Sequence, residues 1–203
     1  GDEDIDAGNN DDTIVMAGNL TIADTIVGGS GDDTLTFTDG DSTTTDLNNV
    51  SGIETITLGN AATNVTTVTG LVTSTNTLTV DGSALTGSGK TLTFTGSAET
   101  NGGKFSITGG DQADTIIGGT GADSISGAAG GDSITAGDGN DSITAGAGDE
   151  DINAGANDDT IVMGGNLTSA DTIDGDSGTD TLTYTDAGGT DELDNVVKVE
   201  TIT

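Results

Sequence analysis

Residues 109–162 read GGDQADTII, GGTGADSIS, GAAGGDSIT, AGDGNDSIT, AGAGDEDIN, AGANDDTIV: six units of nine residues with no slip of register. Position 8 is always Ile (Ile116, Ile125, Ile134, Ile143, Ile152, Ile161), and position 6 is always acidic (Asp114, Asp123, Asp132, Asp141, Glu150, Asp159). The first half of each unit is Gly or another small residue with few exceptions. Nine residues with one regular apolar position do not make a helical repeat. Around each Ile the chain alternates polar, apolar, polar, as in Asp132-Ser133-Ile134-Thr135, which is strand period with Ile inward and Ser or Thr outward. The small residues before it supply positive φ and close backbone approach, which Gly allows without steric cost. Each unit is therefore expected to be a tight turn plus a strand of two or three residues. Two units make a coil of eighteen residues, and coils stack. Ile116, Ile134 and Ile152 then form one column, with Ile125, Ile143 and Ile161 facing it.

Stacking piles up the acids as well. Asp114 lies over Asp132 and Glu150, and Asp123 over Asp141 and Asp159. Bare carboxylates ~4.8 Å apart repel one another. A hard cation between successive turns removes the repulsion, and Ca²⁺ suits because it takes 6–8 oxygens from carboxylates and carbonyls at ~2.3–2.6 Å. Ordering eighteen residues costs more conformational entropy than two buried Ile return. The metal-free chain is expected to be largely unfolded.

The pattern G-G-x-G-x-D-x-U-x resembles the nonapeptide of the calcium-binding RTX parallel β-roll. The resemblance implies an all-β parallel β-solenoid, with RTX β-roll blocks continuous with a more irregular β-helix. It implies several Ca²⁺ ions held by paired acids of adjacent coils and by loop carbonyls. The candidate side chains are Asp12, Asp33, Asp114, Asp123, Asp132, Asp141, Glu150, Asp159 and Asp180. The candidate carbonyls are those of Gly29, Gly31, Gly110, Gly119, Gly121, Gly130, Gly137, Gly139, Gly146 and Gly148. It also implies type I secretion and an extracellular location. Three positions depart from the pattern. Glu150 has a longer side chain than Asp and is expected to bind metal differently or to point away. Gln112 and Asn157 replace the Gly of position 4; Asn tolerates positive φ and Gln does so poorly, so the turn at 109–114 is expected to be distorted.

The 203 residues carry a net charge of −32, with Lys90, Lys104 and Lys198 as the basic residues. This balance argues against nucleic acid and anionic membrane as partners. There is no Cys and no His, which excludes disulfides, thiol chemistry, the common zinc sites and a Ser-His-Asp triad. Aromatics are 2% of the chain, too few for a conventional globular core. No apolar run approaches the length of a membrane-spanning helix. H-E-x-x-H and G-x-S-x-G are absent, and no enzymatic activity is expected.

Residues 1–57 return near the end of the chain. Gly1-Asp2-Glu3-Asp4-Ile5 matches Gly148-Asp149-Glu150-Asp151-Ile152, an offset of 148 − 1 = 147, and Glu54-Thr55-Ile56-Thr57 matches Glu200-Thr201-Ile202-Thr203. A period of nine is thus nested in one of roughly 147, as in a window from a longer tandem array. Four segments are expected: an RTX block at 1–36, an irregular β-helix at 37–108, an RTX block at 109–183, and the start of the next β-helix segment at 184–203. Residues 16–27 and their copy 163–174 form a twelve-residue unit with no Gly turn, expected to be a coil with a longer turn and a doubtful calcium site. In 37–108 the register of nine is lost, but 53–58, 64–69, 77–80, 90–95 and 104–108 alternate apolar and polar between turn residues. A fuller core is expected there, from Leu78, Val80, Leu92, Phe94, Phe105 and Ile107.

The wording at 47–56 and 80–85 resembles segments of large bacterial S-layer and adhesin proteins. The expected function is a calcium-dependent structural repeat of a secreted bacterial cell-surface protein, an S-layer or extracellular fibre subunit. Its partners would be copies of itself and cell-surface polysaccharide. The alternatives are the rod-like spacer of a giant adhesin and the secretion tail of a toxin or enzyme. An ice-binding spacer is disfavoured, because Ser124, Ser126, Thr135, Asp151 and Asn153 do not make a flat Thr ladder. Asn19, Asn64 and Asn166 each begin an N-x-T sequon.

Overall fold

Each Ile of the nine-residue units is inward on a strand in the computed structural model, which describes residues 1–18, 20–38, 47–185 and 193–203. Asn19 therefore lies outside the described residues. Strands pair in parallel with the strand one coil away. Ile116 pairs with Ile134 and Ile134 with Ile152; on the opposite face Ile125 pairs with Ile143 and Ile143 with Ile161. The spacing is 134 − 116 = 18 residues. The two expected columns are thus present, and all six Ile are buried.

The strands are longer than the alternation around Ile suggests. Ser124–Ala129, Ser133–Asp138, Ser142–Ala147 and Asp151–Ala156 have six residues each. They run from position 7 of one unit through position 3 of the next, so the turn proper shrinks to positions 4–6. Stacked coils explain this. Identical backbones laid in parallel offer ladder partners to the small residues too, as in the pairs Ala128↔Gly146 and Gly137↔Gly155. Position 1 then also points inward, and buried Ala lie beside the Ile on both faces, Ala136 and Ala154 on one sheet and Ala145 on the other.

One ten-stranded sheet runs from Thr13–Ala17 to Thr201–Ile202 and crosses residues 36, 108 and 183 without a break. The facing side is divided into a three-stranded sheet from Asp4–Asn9 to Val50–Ser51 and a seven-stranded sheet from Thr63–Thr66 to Val196–Val197. All described strand pairs are parallel, and the described residues contain no helix. The twelve-residue units lengthen a coil without breaking it: Asp4 pairs with Thr25 and Asp151 with Thr172, in each case 21 residues on (25 − 4 and 172 − 151). In the irregular segment coils grow further. Val65 pairs with Phe94, 94 − 65 = 29, and Leu78 with Phe105, 105 − 78 = 27. A longer coil encloses more volume, and larger side chains fill it. Leu78, Val80, Leu92, Phe94, Phe105 and Ile107 are all buried. Phe94 and Phe105 meet edge to face with ring centroids 5.1 Å apart, an arrangement favoured by the ring quadrupoles.

Candidate metal centre

The acid of each unit is placed by the turn before it. In 136–141, Gly137 and Gly139 have φ of 117° and 135°. A Cβ built on Gly139 would stand 2.4 Å from the Gly121 carbonyl oxygen of the preceding coil, so no side chain fits. Two left-handed residues close to one another reverse the chain and carry Asp141 to the inside of the coil. Asn157 and Asn10 take the position of Gly139 in their units, at φ 84° and 82°. At 109–114 neither Gly110 nor Gln112 has positive φ, so this turn does depart from the later ones. The next turn, 118–123, departs in the same way although Gly121 stands in the position of Gln112. The Gln side chain is therefore not the sole cause.

All the sequence-derived acids except Asp12 are at most 2% exposed. Within each column, a carboxylate oxygen accepts the N–H of the residue one coil earlier. Asp132 Oδ1 accepts from Asp114 N–H at 2.9 Å, Asp141 from Asp123 at 2.7 Å, Asp159 from Asp141 at 2.7 Å and Asp180 from Asp159 at 2.8 Å. Asp33 does the same for Asp12 at 2.8 Å. The carboxylates are thus strung on backbone amides instead of meeting face to face. Among the described residues no three acids come together as a metal cluster.

The second oxygen divides the acids into two kinds. In Asp114 and Asp123 it accepts the N–H of Gly110 (2.6 Å) and Gly119 (3.0 Å). In Asp12, Asp33, Asp132, Asp141, Asp159 and Asp180 it is buried with no hydrogen-bond partner, and in Glu150 both oxygens are so. Buried polar atoms without partners are rare, because each carries its full desolvation cost. Burial accordingly pushes the carboxyls up: Asp132 and Asp141 to about 7, Glu150 to about 8, Asp123 and Asp159 to about 6. Asp114 and Asp180 are raised for the same reason. Asp24 moves the other way, held down chiefly by the N–H of Glu3.

Carbonyl oxygens front the same gaps. A Cβ built on Gly127 would stand 2.2 Å from Asp132 Oδ2 and 2.8 Å from the carbonyl oxygen of Ala145 in the next coil. On Gly28 it would stand 2.7 Å from Asp33 Oδ2 and 1.8 Å from the Gly52 carbonyl, and on Gly175 2.7 Å from Asp180 Oδ2 and 2.1 Å from the Lys198 carbonyl. The free oxygens of Asp132, Asp33 and Asp180 thus each lie within about 5 Å of a carbonyl oxygen, a span that one Ca²⁺ with bonds of ~2.3–2.6 Å bridges. Unpartnered buried carboxylates, oxygen-only surroundings and the absence of a Lys contact to the acids of 109–162 fit a hard divalent cation. The carbonyls close to the free oxygens, those of Ala145, Gly52 and Lys198, come from the coil that follows, not from the acid's own coil. Of those singled out from sequence, Gly110 and Gly119 accept ladder N–H groups from Ala129 and Asp138, both at 3.1 Å. Those of Gly121, Gly130 and Gly137 abut the α-carbons of Gly139, Gly148 and Gly155.

Sequence reasoning passed over five further acids. Asp24 and Asp171 sit in the twelve-residue units and are fully buried. Asp24 accepts from Glu3 N–H (2.8 Å) and Thr21 N–H (2.7 Å), and Asp171 from Glu150 N–H (2.7 Å) and Thr168 N–H (2.6 Å). Both oxygens of each are taken by amides, so these turns close on protein hydrogen bonds alone. Glu54 and Glu200 continue the ladder by accepting from Asp33 and Asp180 N–H. Glu99 is buried and caps a turn through Gly70 and Val72 N–H. For four of them the signal was present: Asp24-Thr25-Ile26, Glu54-Thr55-Ile56, Asp171-Thr172-Ile173 and Glu200-Thr201-Ile202 repeat the acid-Thr-apolar triplet of the nine-residue units.

A family model described as the RTX calcium-binding nonapeptide repeat matches in four copies, at residues 23–43, 106–134, 126–161 and 168–184. No curated protein and no solved structure matches the chain.

Proposed function

The chain is an RTX β-roll protein of the calcium-binding nonapeptide class, and from that premise we propose that it is a calcium-gated structural rod of a bacterial cell-surface protein, an S-layer or extracellular fibre subunit. One observation carries the reading: a row of buried carboxylate oxygens without hydrogen-bond partners, repeated along the coils. Such a row holds together only when cations offset it. Bound Ca²⁺ supplies positive charge between turns. The chain's own residues do the rest. Asp132, Asp141, Asp159, Asp180 and Asp33 fix one oxygen on a backbone amide and leave the other free. The Ile columns hold successive coils in register. Extracellular calcium modules bind at about 10⁻⁴–10⁻³ M, so such a chain stays unfolded at cytosolic calcium and folds outside, where an S-layer or fibre is built.

The test is far-UV circular dichroism and negative-stain electron microscopy of the chain, with chelator and then with millimolar Ca²⁺. The expected result is a coil spectrum in chelator, β structure with Ca²⁺, and sheets or filaments that appear with the metal. A spectrum unchanged by chelator overturns the gating. Folded rods that stay monodisperse overturn the assembly role and point to an adhesin spacer.

A further inference from the structure

One acid column breaks its own rule at one place. In the order Asp114, Asp132, Glu150, Asp171, the two Asp before Glu150 each use Oδ1 to accept an amide of the preceding coil. Glu150 does not: both its oxygens are buried and without a partner, and its side chain is 1% exposed. In the residue after it in the column, Asp171, both oxygens already accept amides, from Glu150 and Thr168. Between Asp132 and Asp171 there are therefore three free carboxylate oxygens: Asp132 Oδ2, Glu150 Oε1 and Glu150 Oε2.

The substitution and the loss occur together, and they occur twice. In the copy 147 residues earlier, Glu3 stands where Glu150 stands. Asp24 accepts Glu3 N–H with one oxygen and Thr21 N–H with the other; Glu3 Oε2 is buried and unpartnered, while Glu3 Oε1 lies 3.4 Å from the Gly1 amino group. Wherever the twelve-residue turn removes a free oxygen from one Asp, the acid one coil before it is Glu. Side-chain length alone does not cause this, because Glu54 and Glu200 reach back to accept Asp33 and Asp180 N–H; at Glu150 the carboxylate instead stays in the gap with both oxygens unpartnered.

We propose that Glu150 closes its calcium column as a two-oxygen ligand that makes up for Asp171, both of whose oxygens already accept amides. The inference rests on the calcium reading above. A carboxylate giving both oxygens raises the coordination number, which Ca²⁺ accepts and octahedral Mg²⁺ does not. This end site is therefore selective for Ca²⁺ over Mg²⁺, and Asp171 is not a ligand.

The experiment uses the full chain, with Ca²⁺ as the probe, and compares the wild type with Glu150→Asp and Glu150→Gln. Calcium-minus-chelator infrared difference spectra report carboxylate binding mode, because a two-oxygen ligand narrows the separation of the antisymmetric and symmetric stretches. The narrowed component is expected in the wild type and lost in Glu150→Asp. Equilibrium dialysis is expected to show fewer Ca²⁺ bound by Glu150→Gln. In Glu150→Asp, Mg²⁺ is expected to compete about tenfold better at the affected site. Glu150→Asp keeps the carboxylate of the ordinary units, so it carries the test even where Glu150→Gln does not fold. A wild type that binds Ca²⁺, with infrared and competition data unchanged in Glu150→Asp, overturns this inference alone. A wild type that binds no Ca²⁺ overturns it together with the calcium reading.

Discussion

Replacing Asp141 by Asn should stabilise the metal-free rod and destabilise the calcium-loaded one. Asp141 is 2% exposed; Oδ1 accepts Asp123 N–H and Oδ2 has no partner. Burial, with the charges of Asp123, Asp159 and Asp138 adding to it, carries its carboxyl from 3.8 to about 7. At ~1.36 kcal/mol for each tenfold change in proton affinity, the ionised group costs the metal-free fold about 4 kcal/mol at pH 8. Asn keeps the oxygen that accepts Asp123 N–H and removes the charge. Its amide nitrogen then faces the gap unpaired, at a cost of about 1–3 kcal/mol. The net gain without metal is about 1–3 kcal/mol. With Ca²⁺ the order reverses, because each site filled at a hundredfold excess over Kd contributes about 2.7 kcal/mol and Asn weakens the gaps on both sides. The pH dependence has a definite sign. A carboxyl raised in the fold stabilises it fully below the unfolded value near 3.8, and that stability is lost as pH rises through about 7. The advantage of Asn without metal should therefore be present at pH 8 and gone at pH 5. Thermal unfolding followed by circular dichroism checks all three statements, in chelator with sucrose to bring the transition into range, and in excess Ca²⁺. A variant less stable than the wild type in both conditions would refute the argument that the free oxygen of Asp141 is a cost only metal offsets.

Asp24→Asn provides the contrast: both Asp24 oxygens accept amides, so the Asn nitrogen meets an N–H. Denaturant unfolding should show a loss of about 1–3 kcal/mol with or without Ca²⁺. Ile143→Ala leaves a cavity between Ile125 and Ile161 and should cost about 2–5 kcal/mol in the calcium-loaded state, measured in the same way. Ala128 takes φ 74° in the position where other units carry Gly, so Ala128→Gly should stabilise by about 1 kcal/mol, visible as a higher melting temperature in Ca²⁺.

Much of the fold was legible because its periodicity is one-dimensional. A register of nine with Ile at position 8 leaves few ways to bury Ile134 other than against Ile116 and Ile152, and the pairing is the one observed. The alternation at 77–80, 90–95 and 104–108 likewise marked the Leu78, Phe94 and Phe105 core. The six-residue strands were less legible, because the small residues of positions 1–3 join the ladder only once a second coil lies beside them. The acids of the twelve-residue units carried the acid-Thr-apolar signal but lacked the Gly turn used to find the others.

The nine-residue unit alone specifies the coil, the inward Ile columns, the acid in each turn and the charge that calls for a cation. Local sterics and hydrophobic period act over nine residues, and nine residues can be read directly. The tertiary structure decided which carboxylate oxygens remain free. Asp123 and Asp141 occupy the same position in matching units. Yet one folds its second oxygen onto Gly119 N–H, and the other leaves it unpartnered. That difference depends on turn conformation and on the amide presented by the coil 18 residues away, a relation between neighbours in space that no single unit contains.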